Sequence, residues 1–174
     1  MAAVSVPWDV KVLSGYTLVD PLGSGAYGTV VGAYPRDVPG PLEAPPFAVK
    51  REQVFGGYIN KYGEDVRLNA EHAKRIYREI VVMRHLNSRF SPSLHPNLVR
   101  LLDVRALAPL PAPDANAWVH LVMNNSGKSL TKLRVGEPET PLVTLTLPEV
   151  KDLAWQLLLG VYFMHTAGFV HRDM

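Results

Sequence analysis

Residues 16–34 read YTLVDPLGSGAYGTVVGAY. Two runs rich in β-branched and aromatic residues, Tyr16 to Leu22 and Thr29 to Tyr34, flank the segment Gly23-Ser24-Gly25-Ala26-Tyr27-Gly28, and that pattern predicts a β-hairpin. The glycines are spaced G-x-G-x-x-G, a spacing that lets backbone amides approach phosphate oxygens with no Cβ in the way. In a dinucleotide-binding crossover such a segment opens a helix, whereas here Thr29-Val30-Val31 continues as a β-branched strand. Taken alone, the segment fits either a phosphate-covering loop or an ordinary glycine-rich hairpin.

Beyond it, five of the 15 prolines fall between Pro35 and Pro46 and three between Pro109 and Pro113, so both stretches read as loops. Phe47-Ala48-Val49-Lys50 is a third short strand, ending in a lysine 22 positions after Gly28. A lysine beside Ala and Val on a buried strand is costly unless its ammonium meets anions. The segment Glu71 to Leu86 reads as a helix: steps of about 100° collect Ala73, Ile76, Ile80, Met83 and Leu86 on one face and put Lys74, Arg75 and Arg78 opposite. Glu79 falls between Met83 and Leu86 on the apolar face, where a carboxylate needs a cation, and Lys50 can supply it. The plainer alternatives are a solvated strand-end lysine and a helix-edge acid reaching water. Leu98 to Val104 and Trp118 to Met123 are strand-like, and Asn124 to Lys128 is a polar turn. A second helix opens at Thr146-Leu147-Pro148-Glu149, a capping-box sequence, and runs to about His165. Its apolar residues, among them Leu153, Leu157, Val161 and Met164 on one side and Trp155, Leu159 and Phe163 on others, cover most of the circumference, which suits a helix inside a larger body.

The 174 residues, 47% of them hydrophobic, are enough for a core, which excludes a disordered tail. A net charge of +2 provides no long-range field for nucleic acid or an anionic membrane surface, so neither is expected as a partner. With no cysteine there is no disulfide framework, thiolate zinc site or Cys nucleophile. The first 15 residues have no basic region followed by an apolar run, so a cytoplasmic protein is expected, with the nucleus as the other compartment. Leu153 to Val170 lacks Asp, Glu, Lys and Arg but contains Gln156, Gly160, His165 and Gly168, and it reads as a core helix rather than a membrane span.

The glycine-rich hairpin, the V-A-V-K-type strand, the helix glutamate and the terminal His171-Arg172-Asp173 stand in the order of the protein-kinase signature. GSGAYG at 23–28, HAKRIYRE at 72–79, His95-Pro96-Asn97 and Leu101-Leu102-Asp103-Val104 resemble the mitogen-activated protein kinases and their CMGC relatives. The resemblance implies an α+β fold: a kinase N-lobe, with a five-stranded antiparallel sheet plus one helix, then the first C-lobe helix, with the C-lobe incomplete. The divisions expected are an N-terminal extension at 1–15, N-lobe and hinge at 16–126, and the start of the C-lobe at 127–174.

By the same resemblance the cofactor is ATP. Gly23, Ser24, Gly25, Ala26, Tyr27 and Gly28 would cover its phosphates, with Tyr27 at the loop tip, and Leu22 and Val30 would close over adenine. Ala48 would line the adenine pocket, Met123 would be the gatekeeper behind it, and backbone groups of Asn124, Asn125 and Ser126 would form the hinge. Lys50 would hold the α- and β-phosphates, positioned by Glu79, and Asp173 would accept the proton of a protein hydroxyl. The implied partners are a protein substrate with Ser or Thr and an upstream activating kinase. The family's magnesium ligands, the catalytic-loop Asn and the D-F-G aspartate, fall after the catalytic Asp and are not in these 174 residues, so no metal ligand is named. Mg2+ belongs to a full-length form. The expectation is therefore a serine/threonine kinase fragment inactive alone, the alternative being a naturally truncated, non-catalytic module that binds nucleotide or a partner. Two departures from the family pattern are Ser129, where an acid often follows the hinge, and an insertion at Arg51 to Ala70 holding Tyr58 and Tyr62.

Overall fold

The computed structural model describes residues 8, 11–25, 28–37, 44–59, 62–67, 70–89, 96–106, 116–127 and 145–172. Strands β1 (Tyr16–Gly25), β2 (Gly28–Pro35) and β3 (Phe47–Phe55) are followed by two short strands, β4 (Gly57–Ile59) and β5 (Asp65–Arg67), and helix α1 (Ala70–Arg89). Then come β6 (Leu101–Ala106), β7 (Ala117–Asn124) and helix α2 (Leu147–Thr166). The main sheet has the order β1-β2-β3-β7-β6, and β4 and β5 form a separate two-stranded sheet. The fold is the expected five-stranded antiparallel sheet with a helix, followed by a second helix. It divides into two compact bodies, one of residues 1–76 and 102–125, the other of 77–101 and 126–174.

In the first body, period-two alternation sends Val31, Ala33, Phe47, Val49 and Val122 to one face of the sheet, where Leu13, Trp8, Tyr16 and Leu18 complete the core. Leu13 is only 1% exposed, so the segment read as an extension contributes to this core. The same face continues with Arg51, whose guanidinium lies 4.5 Å from the ring centre of Trp8 and 4.6 Å from that of Trp118. Burial lowers the Arg51 pKa, and the two indole faces compensate part of the lost hydration. The supposed insertion at 51–70 needs correction: its first five residues extend β3, and the β4–β5 hairpin follows. The polar run Arg51-Glu52-Gln53 hides the strand in the sequence, yet all three side chains are buried.

In the second body, α2 begins as its capping box predicts, the Glu149 carboxylate accepting hydrogen bonds from the Thr146 amide and hydroxyl, each 2.7 Å. Those bonds lower the Glu149 pKa. Asn87 on α1 donates to the Leu101 carbonyl at 2.5 Å, and the His85 and Phe169 rings meet edge to face at 5.3 Å. Gly160, the buried residue of α2, lies against Asn97, and a Cβ there would stand 3.1 Å from that residue's carbonyl oxygen. A cavity of about 570 Å³ is lined by Met83, Leu86, Leu98, Leu157, Val161 and His171, among others. The far side of α2 is uncovered: Trp155, Leu158 and Tyr162 are each about 60% exposed, as is Leu157 at the cavity, while Leu159 and Phe163 are half-buried. No helix among the described residues is long and apolar enough to cross a membrane.

Candidate nucleotide site

The sheet face opposite the core carries the site. Cross-strand partners share a face, as do residues two apart on one strand. Gly23 pairs with Val30, Val30 with Lys50 and Lys50 with Leu121, making one row across four strands. The neighbouring row is Gly32, Ala48 and Met123. The fold thus gathers Gly23, Val30, Ala48, Lys50 and Met123, 100 residues apart at the extremes, on one surface, with Gly28 two residues before Val30.

The glycines differ in what requires them. At Gly28, φ is +151° and a Cβ would stand 2.1 Å from the Arg51 carbonyl oxygen, so β2 can lie against β3 only with glycine there. At Gly23 a Cβ would meet nothing within 4 Å, which leaves open space on the site face where an anion can reach the backbone. Leu22 is half-buried and Ser24 exposed, Gly25 pairs with Gly28 at the hairpin end, and Ala26 and Tyr27 lie outside the described residues.

Lys50 is 22% exposed on the side chain and forms an ion pair with Glu52, two residues on along the same face. Glu52 is fully buried, and Arg75 Nη2 of α1 lies 4.0 Å from its second oxygen. Neither Glu52 nor this role for Arg75 is legible in the sequence: the helical repeat puts Arg75 opposite the apolar face of α1, but the buried carboxylate draws it toward the sheet. Glu79 lies half-buried on α1 in the second body. At the end of β7, the Asn125 amide donates to the Pro46 carbonyl at 2.9 Å and its side-chain amide to that of Pro45 at 2.8 Å. These bonds tie the segment after β7 to the entry of β3 and engage the Asn125 N–H within the fold. Asn124 is half-buried, and Ser126 is exposed at the rim of the second body's cavity. His171 lines that cavity, Arg172 adopts a left-handed φ of 69°, and Asp173 lies outside the described residues.

A glycine hairpin, a strand lysine and small apolar residues thus share one face of a five-stranded antiparallel sheet, with the core on the other. Residues 16–174 match the protein kinase domain family. The chain belongs to that family and is MAP-kinase-like within it. It is 30% identical over 168 residues to mitogen-activated protein kinase 14 of Xenopus laevis, covering 96% of this chain and 37% of the relative. It is 29% identical over 167 residues to mitogen-activated protein kinase 12 of Mus musculus, covering 96% and 36%. To mitogen-activated protein kinase mpkC of Aspergillus niger it is 30% identical over 159 residues, covering 91% and 31%. The chain therefore spans about a third of the length of these relatives.

Proposed function

We propose that this chain is the ATP-binding portion of a MAP-kinase-like serine/threonine kinase, whose reaction moves the ATP γ-phosphate to a protein hydroxyl. The observation that carries the reading is the shared face: Gly23, Val30, Ala48, Lys50 and Met123 lie on the side of the sheet that the core does not use. Leu22, Val30 and Ala48 hold adenine, with Met123 behind it and the backbone of Asn124 to Ser126 at its edge. Amides around Gly23 and Gly25 meet the phosphates, and the Lys50 ammonium bonds the α- and β-phosphates. Glu79 is assigned as the helix carboxylate that positions Lys50. Asp173 is assigned as the base that orients the substrate Ser or Thr hydroxyl. The left-handed Arg172 beside it supports a functional turn, since such strain persists where surrounding structure imposes it.

Magnesium supplies charge neutralisation when bound in the family's reaction. Among the described residues no three His, Asp or Glu side chains gather as a metal site, and no step is assigned through it. The proposal extends to inactivity of these 174 residues alone, to a Ser/Thr protein substrate and an upstream activating kinase as partners, and to a cytoplasmic or nuclear location. Hydrogen exchange with and without ATP tests it. ATP is expected to protect amides in residues 16–55 and 117–127, with no transfer of labelled γ-phosphate to casein. Protection confined to other segments removes the assignment, and transfer by the chain alone removes the claim of inactivity.

A further inference from the structure

We propose that Glu52 is a positioning residue for Lys50, an anchor built into the same strand. The inference rests on the nucleotide role given to Lys50 above. Glu52 follows Lys50 by two residues on β3, so both side chains leave the same face and their charged ends meet in an ion pair. The flanking partners on β7, Leu121 opposite Lys50 and Val119 opposite Glu52, are buried apolar residues, which limits screening of the pair on that side.

The Glu52 carboxylate is fully buried, and among the described residues neither of its oxygens makes a directed hydrogen bond. It is held by charge, with Lys50 on one oxygen and Arg75, 4.0 Å away, on the other. A carboxylate so placed gains little stability over an apolar side chain of similar size, because desolvation offsets most of the attraction. What the pair does provide is direction. The Lys50 stem runs between Val30 and Leu121, and Glu52 fixes where along β3 its ammonium stands. Glu52 thus gives Lys50 an anchor on its own strand in addition to the helix carboxylate Glu79 assigned above, and Arg75 adds the link from Glu52 to α1.

The test is the rate at which an acylating reagent modifies Lys50 in the nucleotide-free 174-residue chain at fixed pH, read by peptide mass spectrometry against Lys151 as internal standard. Losing an anchoring carboxylate frees the amine for the reagent. Glu52→Gln and Glu52→Leu are expected to raise Lys50 acylation about tenfold, with hydrogen exchange of β3 and β7 as in wild type. Glu79→Gln is expected to raise it far less. Unchanged Lys50 acylation in both Glu52 variants overturns the proposal, as does an increase that comes only with loss of β3 and β7 protection. Glu52→Gln keeps size and polarity should the leucine variant fail to fold. ATP protection of wild-type Lys50 is measured in parallel: its absence removes the nucleotide reading, while the nucleotide-free comparison still decides the anchor.

Discussion

Substituting alanine at two glycines of the hairpin should have opposite consequences. In Gly28→Ala the new Cβ would stand 2.1 Å from the Arg51 carbonyl oxygen at a φ of +151°. To reach van der Waals separation β3 must retreat by about 1 Å, which breaks the Thr29–Arg51 pairing. Backbone strain of about 1–3 kcal/mol and the weakened ladder hydrogen bonds, each about 1 kcal/mol, give a destabilisation of about 3 kcal/mol. For a chain of this size that is a fall in melting temperature of about 6 to 12 °C. In Gly23→Ala the Cβ enters open space, so stability should stay within about 0.5 kcal/mol of wild type. Its methyl, however, stands on the face assigned to phosphate, and losing an amide bond to a charged oxygen should weaken ATP binding about tenfold or more. Thermal melting followed by tryptophan fluorescence, with ATP titration of each variant, separates the two effects. Equal melting of Gly28→Ala and wild type, or unaltered ATP affinity in Gly23→Ala, would refute the reasoning.

Arg51→Lys should destabilise the first body by about 1–2 kcal/mol, because an ammonium retains the charge but not the planar stacking between Trp8 and Trp118; urea unfolding checks it. The hydrogen bonds that lower the Glu149 pKa from its usual 4.5 stabilise α2 while the carboxylate is ionised. That stabilisation is present above the unfolded-state pKa and lost as pH falls through the lower folded one. Amide exchange at residues 147–151, corrected for its intrinsic pH dependence, should therefore accelerate on acidification, and in Glu149→Gln it should be fast already at neutral pH. The exposed side of α2 should make the chain self-associate, and replacing Trp155 and Leu158 by serine should reduce this; sedimentation showing a wild-type monomer at high concentration would contradict it. Lys50→Met and Glu79→Gln in a longer, active form should each lower phosphoryl transfer, with losses that do not add if the two act as a pair.

The sequence shows the hairpin, the strand lysine and both helices because their signals are local: alternation along β1 and β2, the helical repeat of Ile76 and Leu86, and the Thr146–Glu149 cap. It also places Lys50 and Met123 on one face once strands are paired, since their positions have the right parity. The second half of β3 was hidden, because Arg51, Glu52 and Gln53 look like surface residues. Their burial depends on Trp8, Arg75 and Asn116, partners brought from elsewhere in the chain. Glu52 could not be read as a site residue for the same reason. A carboxylate two positions after a lysine is common on exposed strands, and only the covering elements make it a buried anchor. Leu13, in a segment without strand or helix periodicity, likewise joins the core through tertiary packing alone.

ATP affinity of wild type and Lys50→Met decides whether this sheet face is a nucleotide site. Methionine keeps the packing of the stem and removes the ammonium. Saturable ATP binding by the wild-type chain is predicted, weakened about 10- to 100-fold in Lys50→Met, as expected for a hydrogen bond between charged groups. Equal affinity in the two proteins, or no saturable binding by the wild type, would contradict it.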